Sequence, residues 1–368
     1  MSKRNLIRLF VGLLIVSLLA APLISACSQP APTQAPKPSA SPTTSPAAAP
    51  KPSPTPSAAP IVLKAVDGWK PDYFVTLKFR EMADQINKKA AGQMEIKYVG
   101  GPEVIAANDQ MTACGAGTID MFVSAHVYYS GLVPESAILG LPVVVWDFNN
   151  AAKLLMALKD DLDKIYQEKA KVKYMMTLSP MKMGIFTSKK PVASVDDMKG
   201  LLIRTMGGWD AAALKSLGAA PTNVASTEIY TAAQRGTIDG GSRPITAIEE
   251  WKEQEVWKNM TTTPIGFLLG GNWWINLATY NKLPPNLQKL LDDTAAEQQP
   301  LMVKYFDGED QARIKRLAGF GVNMVDLKSG EADKWNNTLA AAANNYFMGV
   351  APARGQALID KLKAAAAK

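Results

Sequence analysis

The same four residues stand at two places in this chain, as Gly117-Thr118-Ile119-Asp120 and as Gly236-Thr237-Ile238-Asp239. Each copy follows a helix-like run, QMTACGA in the first case and EIYTAAQR in the second, and each precedes a strand-like one. A glycine at the end of a helix supplies the left-handed conformation that stops it. Four common residues can recur by chance, but the matching helix before each copy favours a unit built twice. The chain is therefore expected to form two lobes of similar design, each aiming a strand end at the gap between them.

The remaining segments fit that plan. Ile61 to Val66 is a β-branched run after a proline and predicts the first strand. A helix follows from Phe74 to Ala91, closed by Gly92, and Met94 to Val99 alternates as a second strand. Strand, helix, strand with short connections implies a parallel sheet in an α/β fold. Asn150 to Lys171 predicts an amphipathic surface helix, and Tyr174 to Thr187 a strand pair with the first crossing between lobes. Ile245 to Asn259 predicts a long polar helix, and Leu287 to Leu317 a helix long enough to lie across both lobes, kinked or divided at Pro300. Val322 to Lys368 predicts one strand and surface helices.

Chemistry concentrates between Ser188 and Pro244. A short apolar strand, Leu201-Leu202-Ile203, ends on Arg204 and runs into a Gly-Gly turn and a helix from Trp209 to Leu217. The strand end delivers an arginine to a sheet edge beside a turn with room for a small ligand. A guanidinium there suits a carboxylate, because its planar fork donates two parallel hydrogen bonds, and it equally suits a structural aspartate. Trp69, Tyr73, Tyr128, Tyr129, Trp209, Trp273 and Trp274 are the candidate aromatic wall. Neighbours alternate along a strand, so one of Trp273 and Trp274 is expected in the cleft and the other in the core.

The chain opens with Lys3, Arg4 and Arg8, an apolar run from Leu9 to Leu19, and small residues up to Cys27. This is the layout of a secretory signal over 1–26, and Ile24-Ser25-Ala26-Cys27 fits a lipoprotein cleavage site with Cys27 lipidated. Residues 27–60 then read as a tether, with eleven prolines among small polar residues and no apolar side chain larger than alanine after Cys27. Setting both segments aside leaves 35 basic against 33 acidic residues. A balance near +2 leaves no footprint for nucleic acid. Cys114 is then the one thiol of the folded part and reads as a small buried helix residue.

The order Asp196-Asp197-Met198-Lys199-Gly200-Leu201-Leu202-Ile203-Arg204, then Leu217-Gly218-Ala219-Ala220-Pro221, then Glu228-Ile229-Tyr230 through Asp239-Gly240, resembles the solute-binding subunit of tripartite ATP-independent periplasmic (TRAP) transporters. Weaker resemblance covers most of 61–345, including Leu141-Pro142 with Trp146-Asp147 and Tyr280 through Leu283-Pro284. The resemblance implies an α/β, two-lobed periplasmic-binding-protein architecture of type II, with crossing strands and a long helix spanning both lobes. Lobe I would comprise 61–182 and 269–308, and lobe II 183–268 and 309–368. It further implies that Arg204 pairs with the carboxylate of a small organic acid and that lobe closure is recognised by membrane permease subunits; with the N-terminal signal and Cys27, the protein is expected to be extracytoplasmic, lipid-anchored and a monomer. Many sialic-acid- and dicarboxylate-binding members carry Asn-Pro after the Ile-Asp-Gly segment, where this chain has Arg243-Pro244, and a second arginine where Gly184 stands here. Arg243 is therefore either a second cation for the ligand or the partner of Glu249 or another acid at the helix start.

An enzyme is not expected. No nucleophile motif or metal spacing occurs, no cofactor is implied, and His126 is the only histidine, read as a polar wall or surface residue. A binding lipoprotein of an ATP-driven importer or a sensor shares the fold and stays open as the alternative.

Overall fold

The computed structural model of the protein describes residues 59–142 and 147–367. These fall in one compact unit, Ser57–Lys368. The expected signal, Cys27, nearly all of the tether and Trp146 lie outside the described residues.

In chain order the elements begin with β1 (Ile61–Asp67), α1 (Phe74–Lys89), β2 (Met94–Gly100), α2 (Gln110–Gly115), β3 (Met121–Ser124), α3 (Phe148–Ala170) and β4 (Val172–Thr187). There follow β5 (Leu202–Thr205), α4 (Gly208–Ser216), β6 (Ala220–Asn223), α5 (Ile229–Gln234), β7 (Gly240–Pro244), α6 (Ala247–Glu250) and β8 (Asn259–Asn276). The chain closes with α7 (Leu277–Lys282), α8 (Pro285–Gly319), β9 (Asn323–Val325), α9 (Glu331–Val350) and α10 (Gly355–Ala366). The strands join in the order β2-β1-β3-β8-β4-β7-β5-β6, with β9 added to β8.

From its middle outward this order is one pattern used twice. On one side β8 pairs β3 antiparallel, β3 pairs β1 parallel and β1 pairs β2 parallel. On the other, β4 pairs β7 antiparallel, β7 pairs β5 parallel and β5 pairs β6 parallel. The duplicated tetrapeptide makes the same joint in each half. Gly117 and Gly236 stop α2 and α5 with φ of 79° and 69°, and Ile119 and Ile238 are buried. Asp120 accepts the Lys64 amide at 2.8 Å and returns its own N–H to the Lys64 carbonyl, while Asp239 does the same with Leu202 at 2.9 Å. In this shared register Ala65 faces Met121 and Ile203 faces Gly240, so Arg204 occupies the position that the core residue Val66 fills in the first half.

Four expectations need correction. Tyr174 to Thr187 is not a strand pair but part of the 16-residue β4, which pairs along its length with the 18-residue β8. The proline at 180 is tolerated because β4 meets β7 only from Met183 to Thr187, so no ladder bond is asked of it on that side. The segment Ile245 to Asn259 is not a long helix: α6 spans four residues, and Lys252 breaks the run with φ 55°. Tertiary ion pairs override its helical pattern, because Glu249 and Glu250 are drawn to Arg313 and Arg316 of α8. Pro300 does not divide α8, a continuous helix of 35 residues. Gln299 brackets the Thr177 backbone with bonds of 3.0 and 2.8 Å and Asp310 accepts the Lys182 amide at 3.1 Å, so α8 is fastened to β4 past the proline. Finally, α10 packs on α3 beside β4, with ion pairs Arg354–Glu168 and Lys361–Asp161, so the C-terminal residues rejoin the first half.

The helices cover both sheet faces, and the core runs along the crossing strands. Leu287 and Leu291 of α8 belong to this core, and Leu317 at its other end belongs to a second cluster with Phe186, Ile248 and Trp257. One helix thus joins both halves.

The joints and the buried acid beneath β4 can be tested by unfolding. Asp120→Ala and Asp239→Ala should each cost about 1 kcal/mol in denaturant titrations, the worth of a hydrogen bond to a charged acceptor near the surface. A large loss for one and none for the other would mean that the two joints are not equivalent. Asp310, fully buried, has its carboxyl pushed up to about 7 by burial, against the Lys182 amide, which lowers it. Its protonated form is the one that suits the fold, so its contribution is present below about pH 4 and is lost as pH rises towards 7. The stability of the parent protein should fall between pH 5 and pH 8 by roughly 2 kcal/mol more than that of Asp310→Asn. Equal pH dependence of the two proteins would exclude this role for Asp310.

Candidate functional site

Arg204 is the third residue of β5 and reaches the carboxyl edge of the sheet. Gly241, its partner on β7, has no side chain, and a Cβ there would lie 3.3 Å from the Trp257 ring and 3.7 Å from the Arg204 Cβ. That absence leaves room for the Trp257 ring beside the Arg204 stem. Its Nε donates to the Val224 carbonyl at 3.0 Å, Nη1 to the Ser242 carbonyl at 3.3 Å and Nη2 to Ser226 Oγ at 3.2 Å. Arg204 is 3 % exposed, and among the described residues no carboxylate forms an ion pair with it. Burial and then the neighbouring Arg243 pull its pKa down to about 10, still protonated at neutral pH.

Arg243, on β7, is handled differently. Its Nε and Nη2 donate to the two oxygens of Glu253 at 3.0 and 2.7 Å, a fork on a carboxylate that is itself fully buried and also accepts Trp257 Nε1 at 3.1 Å. The partner is thus Glu253, ten residues on, rather than Glu249, which serves Arg313 and Arg316. The remaining nitrogen, Nη1, donates to Ser226 Oγ at 3.4 Å. With both arginines donating to its oxygen, Ser226 is left with its hydroxyl proton to offer. Asp210, in the first turn of α4, fastens this corner by accepting from Thr205 Oγ1, the Met206 amide and Ser242 Oγ at 2.8, 3.0 and 2.7 Å. Burial raises its carboxyl above the usual range.

Beside this cluster lies a cavity of about 430 Å³. Ser226 and Arg243 form its polar end, and Arg204 stands immediately behind Ser226. The first half contributes Trp69, Tyr73 and Tyr128, the second Met206, Pro244 and Trp251, and the crossing strands supply Met181 and Leu268. The Trp69 and Tyr73 rings sit 5.6 Å apart, and Lys70 Nζ lies 5.7 Å from the Trp251 ring, so the two halves touch at this wall.

Of the expected aromatic wall, Trp69, Tyr73 and Tyr128 line the cavity; Tyr129, Trp273 and Trp274 do not. Tyr129 donates its hydroxyl to the Ala107 carbonyl at 2.7 Å and is buried. Trp274 stacks on Phe122 at 4.8 Å, and both tryptophans are inaccessible. Alternation along the strand does not expose one of them, because β8 runs in the middle of a sheet covered on both faces. Trp209 is buried over Gly266 and lines a neighbouring chamber of about 70 Å³ instead. His126 lines the same chamber. Its Nδ1 sits 3.0 Å from the Leu269 carbonyl, which can only accept, so Nδ1 carries the proton and Nε2 is an acceptor without a partner among the described residues. Burial pulls its pKa down to about 4, so the ring is neutral.

Trp251, Ser226, Asp210 and Glu253 join the site without having been expected there. Ser226 is legible in the sequence only as a helix start, and Trp251 and Glu253 lie in the segment whose pattern predicts a polar helix. Among the described residues no group of three or more metal-ligating side chains could hold a metal ion.

Comparison with known proteins agrees with this geometry. Residues 66–349 match the model of the bacterial extracellular solute-binding protein family 7. The 2,3-diketo-L-gulonate-binding periplasmic protein YiaO of Escherichia coli is 27 % identical over 249 residues, 67 % of this chain and 75 % of that protein. A TRAP periplasmic solute-binding protein from Rhodoferax ferrireducens with bound malonate superposes with a TM-score of 0.71 at 25 % identity, over 83 % of this chain and 98 % of the other. One from Desulfovibrio salexigens with bound orotic acid gives a TM-score of 0.73 at 22 % identity, with the same coverage. The fold is therefore the two-lobed α/β architecture expected from the sequence, and the chain belongs to the family of TRAP transporter solute-binding subunits.

Proposed function

We propose that this protein captures a small organic acid by its carboxylate, in the cavity between the two halves, and delivers it to the membrane permease subunits of a TRAP transporter. The observation that carries this reading is Arg204, a buried and protonated guanidinium without an ion-pair partner among the described residues, one hydroxyl away from an apolar-walled cavity. A buried charge is tolerated when something compensates it, and a carboxylate that enters beside Ser226 supplies the missing negative charge. The malonate and orotic acid held by the similar proteins are both carboxylates and support the same chemistry.

Capture works through closure. The cavity wall is divided between the halves, so a ligand touching Trp69 and Tyr73 on one side and Arg243 and Trp251 on the other binds the closed arrangement better than any open one. We take the lobes to be 61–182 with 269–308 and 183–268 with 309–368, with α10, which packs on α3, assigned to the first. TRAP solute-binding subunits work outside the cytoplasm. A leader over 1–26 and a lipid on Cys27, with a proline-rich tether after it, would keep this one at the membrane where its partner subunits reside.

Arg204→Met removes the charge while keeping much of the volume. A carboxylate ligand present at 100 times its dissociation constant should stabilise the parent protein by about 2.7 kcal/mol, read as an upward shift of the melting temperature. Calorimetric titration should show affinity for that ligand falling by about tenfold or more in the variant, as expected when the buried positive charge behind Ser226 is lost. If Arg204→Met binds within a few-fold of the parent, the guanidinium is structural and the carboxylate is held elsewhere.

A further inference from the structure

We infer that the cavity is built for a monocarboxylate carried on an aromatic or apolar body, and not for a dicarboxylate or a polyhydroxylated sugar acid. The inference rests on the carboxylate reading above and adds to it the charge and the body of the ligand.

The charge follows from the partners of the two arginines. Arg243 is already forked onto Glu253, whose carboxylate is inaccessible and also bonded to Trp257. That pair is neutral as a unit, and opening it to serve a ligand would leave Glu253 buried without its counter-charge. Arg204 supplies one positive charge with no carboxylate in hydrogen-bond contact, although Asp210 and Glu253 act on it through space. Asp210 is the other acid of the cluster, and ionising it can only reduce the balance further. The polar end of the cavity therefore accommodates at most one negative charge, and not two. At the opposite rim the partly exposed Lys70, 3.4 Å from Asp72, is balanced in the lining by Glu103, which accepts the Gly101 amide at 2.8 Å, so the rim offers no net positive charge for a second carboxylate.

The body follows from the wall. Apart from Ser226, Arg243 and the rim residues Lys70 and Glu103, the lining is mostly rings, thioethers and prolines, among them Trp69, Tyr73, Trp251, Met181, Met206 and Pro244. Flat rings and polarizable sulfur favour a planar apolar partner. A sugar acid would bring several hydroxyls, each costing free energy if buried without a partner, to a wall whose main hydroxyls are those of Tyr73 and Tyr128.

The test is a calorimetric series on the purified protein with benzoate, phenylacetate, cyclohexanecarboxylate, benzamide, succinate and galacturonate. The expected order places at least one of the three monocarboxylates tenfold or more above succinate and galacturonate, with benzamide silent. Trp251→Ala should weaken the best monocarboxylate about tenfold, the worth of one aromatic contact. Glu253→Gln, which adds one net positive charge beside Arg243, should narrow the gap between succinate and benzoate. Tightest binding by succinate or galacturonate, or failure of all three monocarboxylates at millimolar concentration, would overturn this inference while leaving carboxylate capture in place. Benzamide binding as tightly as benzoate would overturn carboxylate capture and this inference together.

Discussion

Everything in this molecule hangs from the antiparallel pairing of β4 with β8. The ladder runs from Val172 opposite Asn276 to Thr187 opposite Asn259, and each half of the sheet is attached to one of its two strands. Because β4 feeds β7 and β8 feeds β3, the two copies of the repeated unit face each other across the ladder with their strand ends towards a shared gap. The register shifts near Ser179 and Pro180 lie between the portions of β4 that serve the two halves. A place where the ladder is already irregular is where a two-stranded connection can flex at small cost in hydrogen bonds.

The repeat explains both the likeness of the halves and their division of labour. In corresponding positions one half has Val66 and the other Arg204, and one has Ser124 where the other has Arg243. The first half puts the uncharged Val66 and Ser124 at these positions and offers aromatic rings from its loops. The second spends the same positions on charge, then surrounds that charge with Glu253, Asp210, Ser226 and backbone carbonyls. A buried guanidinium is tolerable only with this degree of hydrogen bonding. The asymmetry between the copies is thus where recognition resides, and the symmetry is what aims it.

Much of this is legible in the chain itself. The Gly-Thr-Ile-Asp copies mark the two joints, and β1, α1 and β2 fall close to their expected bounds, because periodicity and helix-stopping glycines are local signals. Arg204 is legible for the same reason, standing at the end of a short apolar strand before a Gly-Gly turn. What escapes is what depends on distant partners. The run after Ile245 has helical composition but is held open by Arg243, Arg313 and Arg316. Trp273 and Trp274 alternate as any strand does, yet only the sheet order reveals that both faces of β8 are covered. The partner of Arg243 is expected among nearby acids, and it is the three-dimensional turn at Lys252 that selects Glu253.

The shared ladder also bears on how the chain reaches this state. β8 completes the first half by placing Ile275 beside Met121, a contact between residues about 150 positions apart, and it cannot form until β5, β6 and β7 of the second half have been passed along the chain. Neither half can therefore finish its own sheet from its own contiguous stretch of chain. Partly folded forms will expose the unpaired edge of β3 or β4, and such edges are sticky. Folding of this protein should be slow for its size and concerted across the halves, with α10 docking on α3 among the last events because it needs the finished scaffold of both.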